Sequence, residues 1–341
     1  MARQNRTRAL LGVALGGTAV LAAACSGPGG VRPGHGWASA TTFALARVDG
    51  LVTVVGVDAR RARAESLAVV PQQSDDTEAV SPRLVRLADG RWLVTVPRGG
   101  GGPDRRYVVN RAEHVLDGLP GDQRLRRVLP GRTLVAEVAA LPDAVTAGRA
   151  PASTVLVRDP RDWSTRRELK VPGTIGLAAS DPGSDTVCLS GDAGVTVAEL
   201  TGGGVRSVPV TGVVGLVCPD GHPVIVRSAA GGSPARVRAT LTRTADATTV
   251  SVAGGRVDGV AAHGASIVLA VAAGTGTEVI EIDAAGGEER HRVRLDGMAA
   301  SLALTWSPAG WLVYTENTVT RVEPPTARTK EFPLPGTLLD G

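Results

Sequence analysis

Strand-turn-strand units recur along the second half of the chain at an almost constant spacing. Each unit has two short runs rich in Val, Leu, Ile and Thr, with a turn between them. Successive units start 40, 42, 42 and 40 residues apart, at Val155, Val195, Val237, Val279 and Val319. A repeat of this length is one supersecondary unit that must bury its apolar face against its neighbours. The spacing therefore predicts an array of similar units packed side by side.

The local pattern after the N-terminal segment is that of β-structure. Apolar runs of four to eight residues alternate with Gly, Pro, Asp and Asn clusters, and no stretch has a convincing helical period. Asp-Gly pairs supply the positive φ angles of tight hairpins, and they recur at Asp49, Asp89, Asp117, Asp220, Asp258 and Asp296. We predict an all-β fold in which these aspartates are turn residues.

A second hairpin fits between successive units, which gives four short strands per repeat. Two further units fit upstream, near Tyr107 and from Leu51, for a total of seven. Four strands in about 40 to 45 residues are typical of a β-propeller blade. The pattern resembles the seven-bladed propellers of the WD40-like and quinoprotein-like kind, although the Gly-His and Trp-Asp dipeptides of WD40 repeats are absent. A six- or eight-bladed ring and a pair of β-sandwiches are the alternatives.

The two ends of the predicted propeller complement each other. The first blade starts one strand late, at Thr42 to Val48, while Thr337 to Leu339 follows the last complete blade as a spare strand. We predict that this C-terminal strand completes the first blade, because closing the ring removes two free sheet edges.

The N-terminus has the pattern of a signal peptide. Arg3, Arg6 and Arg8 precede an uncharged run of 16 residues, Ala9 to Ala24, which is too short for a membrane span. The residues Leu21 to Cys25 (LAAAC) resemble the bacterial lipobox, with Ala22 where that family usually has Leu. The resemblance implies cleavage before Cys25 and lipid on its sulfur. An ordinary secretory signal with an incidental cysteine is the alternative.

This interpretation divides the chain into three parts. Residues 1–24 are the signal peptide, residues 25–40 are the lipidated cysteine with a flexible linker, and residues 41–341 are the propeller domain. The protein is expected on the outer face of the cell membrane, with lipid on Cys25 as its membrane attachment. The scarcity of lysine relative to arginine suggests GC-rich coding, and hence an actinobacterial source.

Net charge and cysteine content indicate which partners and which covalent links to expect. The chain has 37 Lys+Arg and 33 Asp+Glu, and removal of the signal peptide takes three arginines and no acid. The mature domain is thus nearly neutral, and nothing indicates a nucleic-acid partner. With Cys25 lipidated, Cys188 and Cys218 remain, in a compartment where disulfides persist. They either bond to each other or are two buried thiols.

The usual catalytic and cofactor signatures are missing. The sequence has no Gly-x-Ser-x-Gly elbow, His-Glu-x-x-His, Cys-x-x-Cys or Walker motif. The five histidines are scattered, so we predict no metal site and no cofactor. Trp163 lies in a predicted outer turn beside Arg161, where an exposed tryptophan is typical of an interface anchor. These two residues are the candidate partner-binding site.

The sequence therefore favours a lipid-tethered, non-catalytic β-propeller that binds another protein of the cell envelope. The alternative is a secreted hydrolase or carbohydrate-binding propeller, which needs acidic or aromatic residues at the mouth of the central channel.

Overall fold

The fold is a ring of four-stranded sheets. The computed structural model describes residues 36–71, 82–96, 104–110, 115–119, 126–139, 152–231, 237–296 and 302–341. Within these ranges, 28 strands form seven sheets of four, together with a short helix α1 (Gly36–Ser39) and a 3₁₀ turn (Pro219–Gly221). The predicted all-β, seven-bladed propeller is confirmed.

Blades 1 to 4 take up the N-terminal half of the domain and the C-terminal strand. Blade 1 contains β1 (Thr42–Val48), β2 (Leu51–Asp58), β3 (Arg63–Val69) and β28 (Thr337–Asp340). Blade 2 contains β4 (Arg83–Arg86), β5 (Trp92–Val96), β6 (Arg105–Asn110) and β7 (Val115–Leu119). Blade 3 contains β8 (Arg126–Pro130), β9 (Val135–Ala139), β10 (Ala152–Arg158) and β11 (Thr165–Pro172). Blade 4 contains β12 (Ile175–Ser180), β13 (Thr186–Gly191), β14 (Gly194–Glu199) and β15 (Val205–Val208).

Blades 5 to 7 follow in the same way. Blade 5 contains β16 (Val213–Val217), β17 (Val224–Ser228), β18 (Arg238–Arg243) and β19 (Thr248–Ala253). Blade 6 contains β20 (Arg256–His263), β21 (Ser266–Ala273), β22 (Gly276–Asp283) and β23 (Glu289–Asp296). Blade 7 contains β24 (Ala303–Ser307), β25 (Gly310–Tyr314), β26 (Thr318–Glu323) and β27 (Arg328–Pro333).

The C-terminal strand closes the ring, as the sequence predicts. β28 pairs antiparallel with β1, with Leu338 opposite Ala46 and Thr337 opposite Arg47. Blades 7 and 1 also share an apolar cluster in which Leu312 and Tyr314 pack with Ala44 and Val55. The first blade is therefore assembled from both ends of the domain, which leaves no unpaired strand edge at the seam.

Position within a blade explains the apolar pattern of each strand. The middle strands β21 and β22 are buried over nearly their whole length, because neighbouring blades cover both faces. The outermost strands β11 and β23 are mostly exposed. Toward their ends every second residue is buried in β11 and half-buried in β23. Continuous apolar runs in the sequence thus mark middle strands, and alternating ones mark the outer rim.

Blade 5 departs from the expected strand order. The unit from Val237 does form a hairpin, but its second strand, β19, takes the third position and runs parallel to β17, while β18 lies outermost. The burial of the two strands explains the exchange. β19 has a buried residue at every second position, whereas β18 is largely exposed. The more apolar strand occupies the inner position.

Of the six Asp-Gly pairs that the sequence predicts to be turns, four lie at turns or strand ends, and two do not. Asp49 and Asp220 have φ angles of 50° in turns. Asp117 and Asp258 lie inside β7 and β20, and the prediction that they are turn residues is wrong. At Asp258 the pairing of β20 with β21 shifts register between Val257 and Gly259, so the pair marks a β-bulge.

Five outer hairpins share one turn geometry. In each, an acidic residue at or just after the end of the third strand is followed four positions later by a residue with positive φ. These pairs are Asp58 with Ala62, Asp159 with Trp163, Glu199 with Gly203, Asp283 with Gly287 and Glu323 with Ala327. In the last four pairs the N–H of the later residue donates to the carbonyl of the acidic one. Trp163 is the bulkiest residue held in this left-handed conformation.

The folded domain begins before residue 41. Trp37 of α1 is fully buried in a cluster with Phe43, Leu67 and Val94, at the seam of blades 1 and 2. Residues 36–40, which the sequence placed in the linker, are therefore part of the propeller. Residues 1–35, which include the predicted signal peptide and Cys25, lie outside the described residues. Within the described ranges, no helix is both long and apolar enough to cross a bilayer.

Candidate binding site at the channel mouth

The innermost strands of the seven blades surround a cavity at one end of the central channel. Successive innermost strands contact one another from β28 through β4, β8, β12, β16 and β20 to β24. The cavity has a volume of 670 Å³ and is lined by the ends of all seven strands. We call it the channel mouth. Its size is that of a ligand pocket.

Arginine side chains dominate one side of the channel mouth. Arg83 and Arg86 lie on β4, Arg127 lies on β8, and all three are exposed. Asp340, at the end of β28, supplies the only carboxylate side chain among the described lining residues. The described side chains of the mouth thus carry three fixed positive charges against one acid.

Asp340 connects the closing strand to blade 2. One carboxylate oxygen accepts a hydrogen bond from the Leu84 N–H at 2.7 Å, and the other lies 3.7 Å from the Arg83 guanidinium. Burial raises the pKa of this carboxyl, and the Leu84 hydrogen bond and the two nearby arginines oppose that rise. Since the N–H donates to the carboxylate and Arg83 pairs with it, Asp340 acts mainly as a structural acceptor.

The opposite side of the mouth is aromatic and apolar. The His263 ring stacks on Trp306 with 4.5 Å between centroids, and Trp306 meets the buried Trp311 edge-on at 5.1 Å. Trp92, on the arginine side, packs edge-on against Phe43 at 5.6 Å. The tryptophan faces are thus largely used in packing, and His263 presents the exposed ring of this wall.

Among the described residues, the mouth contains neither a pair of carboxylate side chains nor a group that could hold a metal ion. Asp340 is the only carboxylate side chain among the described lining residues, whereas a glycosidase requires a pair. No group of three His, Cys, Asp or Glu side chains in the described ranges is placed to hold a metal ion. The described mouth offers guanidinium groups and a small apolar wall to a ligand.

The structure places Trp163 differently from the sequence prediction. Its side chain is half-buried and packs against the cluster of Leu87, Leu93, Val108, Val128 and Val135 between blades 2 and 3. The Arg106 guanidinium lies 5.6 Å from its ring centroid, within cation-π distance. The prediction of an exposed tryptophan is wrong, because the left-handed turn directs the ring back onto the blade seam.

Arg161 remains at the surface. Its side chain is 87% exposed and lies 3.4 Å from Asp159. The hydrogen bond from the Arg161 N–H and the one from the Arg166 guanidinium lower the pKa of Asp159. Arg161 thus belongs to the turn that holds Trp163, on the outer rim and away from the channel mouth.

A buried ion cluster beneath Trp163 was not predicted. The Glu137 carboxylate is fully buried between the guanidinium groups of Arg106 and Arg158, with 2.8 Å to the Arg158 Nε. Arg106 belongs to blade 2, whereas Glu137 and Arg158 belong to blade 3. These residues are far apart in sequence, so only the assembled blades reveal the cluster. The cluster links blades 2 and 3 by an ion pair across their interface.

Cys188 and Cys218 form a disulfide in the structure. Cys188 lies on β13 of blade 4, and Cys218 follows β16 of blade 5, with 5.7 Å between their Cα atoms. Both residues are buried. The bond therefore links two neighbouring blades.

The comparisons with known proteins found similarity only to solved structures. No family model matches the chain, and no curated protein matches its sequence. The chain is similar to Sqt1 of Saccharomyces cerevisiae, with 10% identity and a TM-score of 0.48 over 87% of this chain and 86% of that one. It is similar to TolB of Acinetobacter baumannii, with 11% identity and a TM-score of 0.46 over 88% and 66%. It is also similar to the dihydro-heme d1 dehydrogenase NirN, with 15% identity and a TM-score of 0.48 over 86% and 73%.

Proposed function

We propose that this chain is a lipid-tethered extracytoplasmic protein whose propeller binds another envelope protein at the channel mouth, without catalysing a reaction. The observation that carries the proposal is the 670 Å³ cavity, where three exposed arginines converge beside a single acid among the described side chains. Propellers present binding surfaces of this kind on a rigid ring. Function belongs to the site, not to the fold.

Extracytoplasmic location has two independent supports. The first is the N-terminal pattern of three arginines, a short uncharged run and the LAAAC sequence that ends at Cys25. The second is the disulfide between Cys188 and Cys218, because disulfides persist in oxidising compartments outside the cytoplasm.

A lipid tether at Cys25 would keep the mouth near the membrane. Ten residues lie between Cys25 and Gly36, and this connection spans at most about 40 Å. The chain then enters the propeller at the mouth, since Thr41 and Thr42 belong to the lining. A lipidated Cys25 would therefore hold this face within reach of proteins in or on the same membrane.

The alternative of a secreted hydrolase or carbohydrate-binding propeller has less support. A hydrolase needs a carboxylate pair or a nucleophile with a base, and Asp340 is bonded to Leu84 and Arg83. A sugar platform needs a free tryptophan face, and Trp306 and Trp92 are packed against other rings.

The mouth can be blocked without changing the charge of the protein. Ser180 is the last residue of the innermost strand β12, Thr174 immediately precedes the first residue of that strand, and only Ser180 lines the mouth. We expect affinity capture from solubilised membranes to recover the same partner with the wild type and Thr174→Trp, and to lose it with Ser180→Trp. Equal recovery with both variants would place binding elsewhere. Recovery of the protein alone, with hydrolysis of a glycan or ester panel, would overturn the proposal.

Lipidation has its own test. The wild type should fractionate with membranes and carry lipid on Cys25 by mass spectrometry. Cys25→Ser should leave the precursor unprocessed and without lipid. A mature wild-type N-terminus at another residue, with an unmodified thiol at Cys25, would show an ordinary secretory signal instead.

A further inference from the structure

The arginines of the channel mouth differ in whether they form an ion pair among the described residues. Arg83 pairs with Asp340 at 3.7 Å. Within the part of the chain that the structure describes, Arg86 and Arg127 form no ion pair, although both line the same cavity. Desolvation by the surrounding wall of the mouth and the neighbouring Arg83 lower the pKa of Arg127, and an arginine still keeps its charge at neutral pH. Arg86 and Arg127 are therefore available to bind a negatively charged ligand.

Guanidinium groups suit a particular class of ligand. Their planar donors match carboxylates with two parallel hydrogen bonds. Arg83, Arg86 and Arg127 come from two adjacent blades, so a ligand that meets all three must carry more than one acidic group. Because the site is recessed, a flexible chain can enter it more readily than a flat bilayer surface can.

The remaining walls indicate what accompanies the acidic groups. Leu216, Val217 and Val260 line the mouth beside the exposed ring of His263. These apolar side chains and the ring can cover one or two aliphatic groups. A short protein segment with several carboxylates and an aliphatic side chain combines both features, whereas a simple inorganic anion uses only the arginines.

We infer that the channel mouth recognises an acidic segment of the partner protein, whose carboxylates are bound by Arg83, Arg86 and Arg127. This inference rests on the proposed function and specifies its ligand chemistry. Asp340 is then the one described side chain in the mouth that repels the ligand, and its removal should strengthen binding.

The test uses the full-length protein in a neutral detergent and a defined probe, N-acetylated hexaglutamate, by titration calorimetry. The variant R83Q/R86Q/R127Q should bind about 10- to 100-fold more weakly than the wild type. The control R167Q/R238Q/R328Q removes three exposed arginines from outermost strands and should bind within about twofold of the wild type. Hexaglutamine and hexalysine should not bind.

Two further variants complete the test. R86Q alone guards against misfolding of the triple variant, since it removes one exposed residue, and it should weaken binding about threefold. D340N should strengthen binding by a similar factor. Thermal unfolding of each variant shows whether the fold is kept.

Several outcomes would overturn the inference. Equal losses in the two triple variants would show non-specific attraction, and absence of wild-type binding would exclude an acidic segment of this kind. Preferential binding to phosphatidylglycerol vesicles, lost in R83Q/R86Q/R127Q, would indicate a lipid surface. If Ser180→Trp abolishes partner capture while R83Q/R86Q/R127Q preserves it, the proposed function stands and the acidic ligand does not.

Discussion

The Asp340 carboxylate accepts a hydrogen bond from the Leu84 N–H across a sequence separation of 256 residues. Asp340 ends β28, and Leu84 lies in β4, the innermost strand of blade 2. The last strand thus pairs with β1 of its own blade and is also fixed to the next blade. Ring closure and the shape of the channel mouth depend on the same residue.

Loss of this acceptor should weaken the closure. Asp340→Ala leaves the Leu84 N–H without its acceptor, and we expect a decrease of about 1–3 kcal/mol in the free energy of unfolding, measured in urea. Asp340→Asn keeps an acceptor oxygen, and its free energy of unfolding should decrease less than that of Asp340→Ala. Equal stabilities of Asp340→Ala and the wild type would contradict a role of Asp340 in closure.

The pH dependence of this site follows from the raised pKa of Asp340. In the window above an ordinary aspartate pKa of about 3.9, the folded state keeps a proton that the unfolded chain has released. The contribution to stability is complete below that window and is lost as pH rises through the raised pKa. The stability of the wild type relative to Asp340→Asn should therefore increase as pH falls from 7 toward 4. A constant difference would contradict the raised pKa.

Glu137 should be far more important for stability than a surface acid. Glu137→Gln leaves the buried guanidinium of Arg106 and the nearby Arg158 without their counter-ion. We expect a loss of about 3–5 kcal/mol in unfolding free energy. The control Glu168→Gln breaks an exposed pair with Lys170 and should cost at most about 1 kcal/mol. Similar losses in the two variants would argue against a buried cluster.

Trp163 combines packing with an unfavourable backbone conformation. Its φ of 58° suits glycine, while its ring covers Arg106 and the seam cluster. Trp163→Ala should lose about 2–3 kcal/mol of stability, and Trp163→Gly about 1 kcal/mol less than that, because glycine accepts positive φ. Unchanged stability of both variants together with lost partner capture would restore Trp163 as an interface anchor.

The disulfide should stabilise the contact between blades 4 and 5. Cys188 and Cys218 are 30 residues apart, and closing a loop of that length contributes about 3–4 kcal/mol in the chain-entropy treatment. Thermal unfolding with and without reductant measures the effect. Alkylation of the denatured, unreduced protein should find neither thiol, and labelling of both would show that they are free.

The ring could be predicted from the sequence because its signals are local and periodic. The five regularly spaced units from Val155 to Val319 and the two upstream units near Tyr107 and from Leu51 predict seven blades. The spare strand at Thr337 predicts their closure. The exchange of β18 and β19 was missed, because a hairpin has the same sequence pattern in either order. The difference in apolar content between the two strands was the available signal.

The candidate site was harder to predict for a physical reason. The side chains of the mouth come from seven strands spread over the whole domain, and their convergence depends on which residue of each innermost strand reaches the channel end. Arg83 and Arg86 in an innermost strand were a usable signal, since charged side chains are rarely buried between packed blades. Trp163 was misplaced because its burial depends on a left-handed turn that tryptophan rarely adopts.

Photo-crosslinking in living cells tests the central claim most directly. A photoreactive residue at Ser180 reports on the channel mouth, and the same residue at Thr174, just before the first residue of β12, reports on the opposite end of that strand. The account predicts a crosslinked envelope protein from position 180, reduced by R83Q/R86Q/R127Q, and little from position 174. Crosslinks from position 174 alone, or equal yields at both positions, would contradict a binding site at the channel mouth.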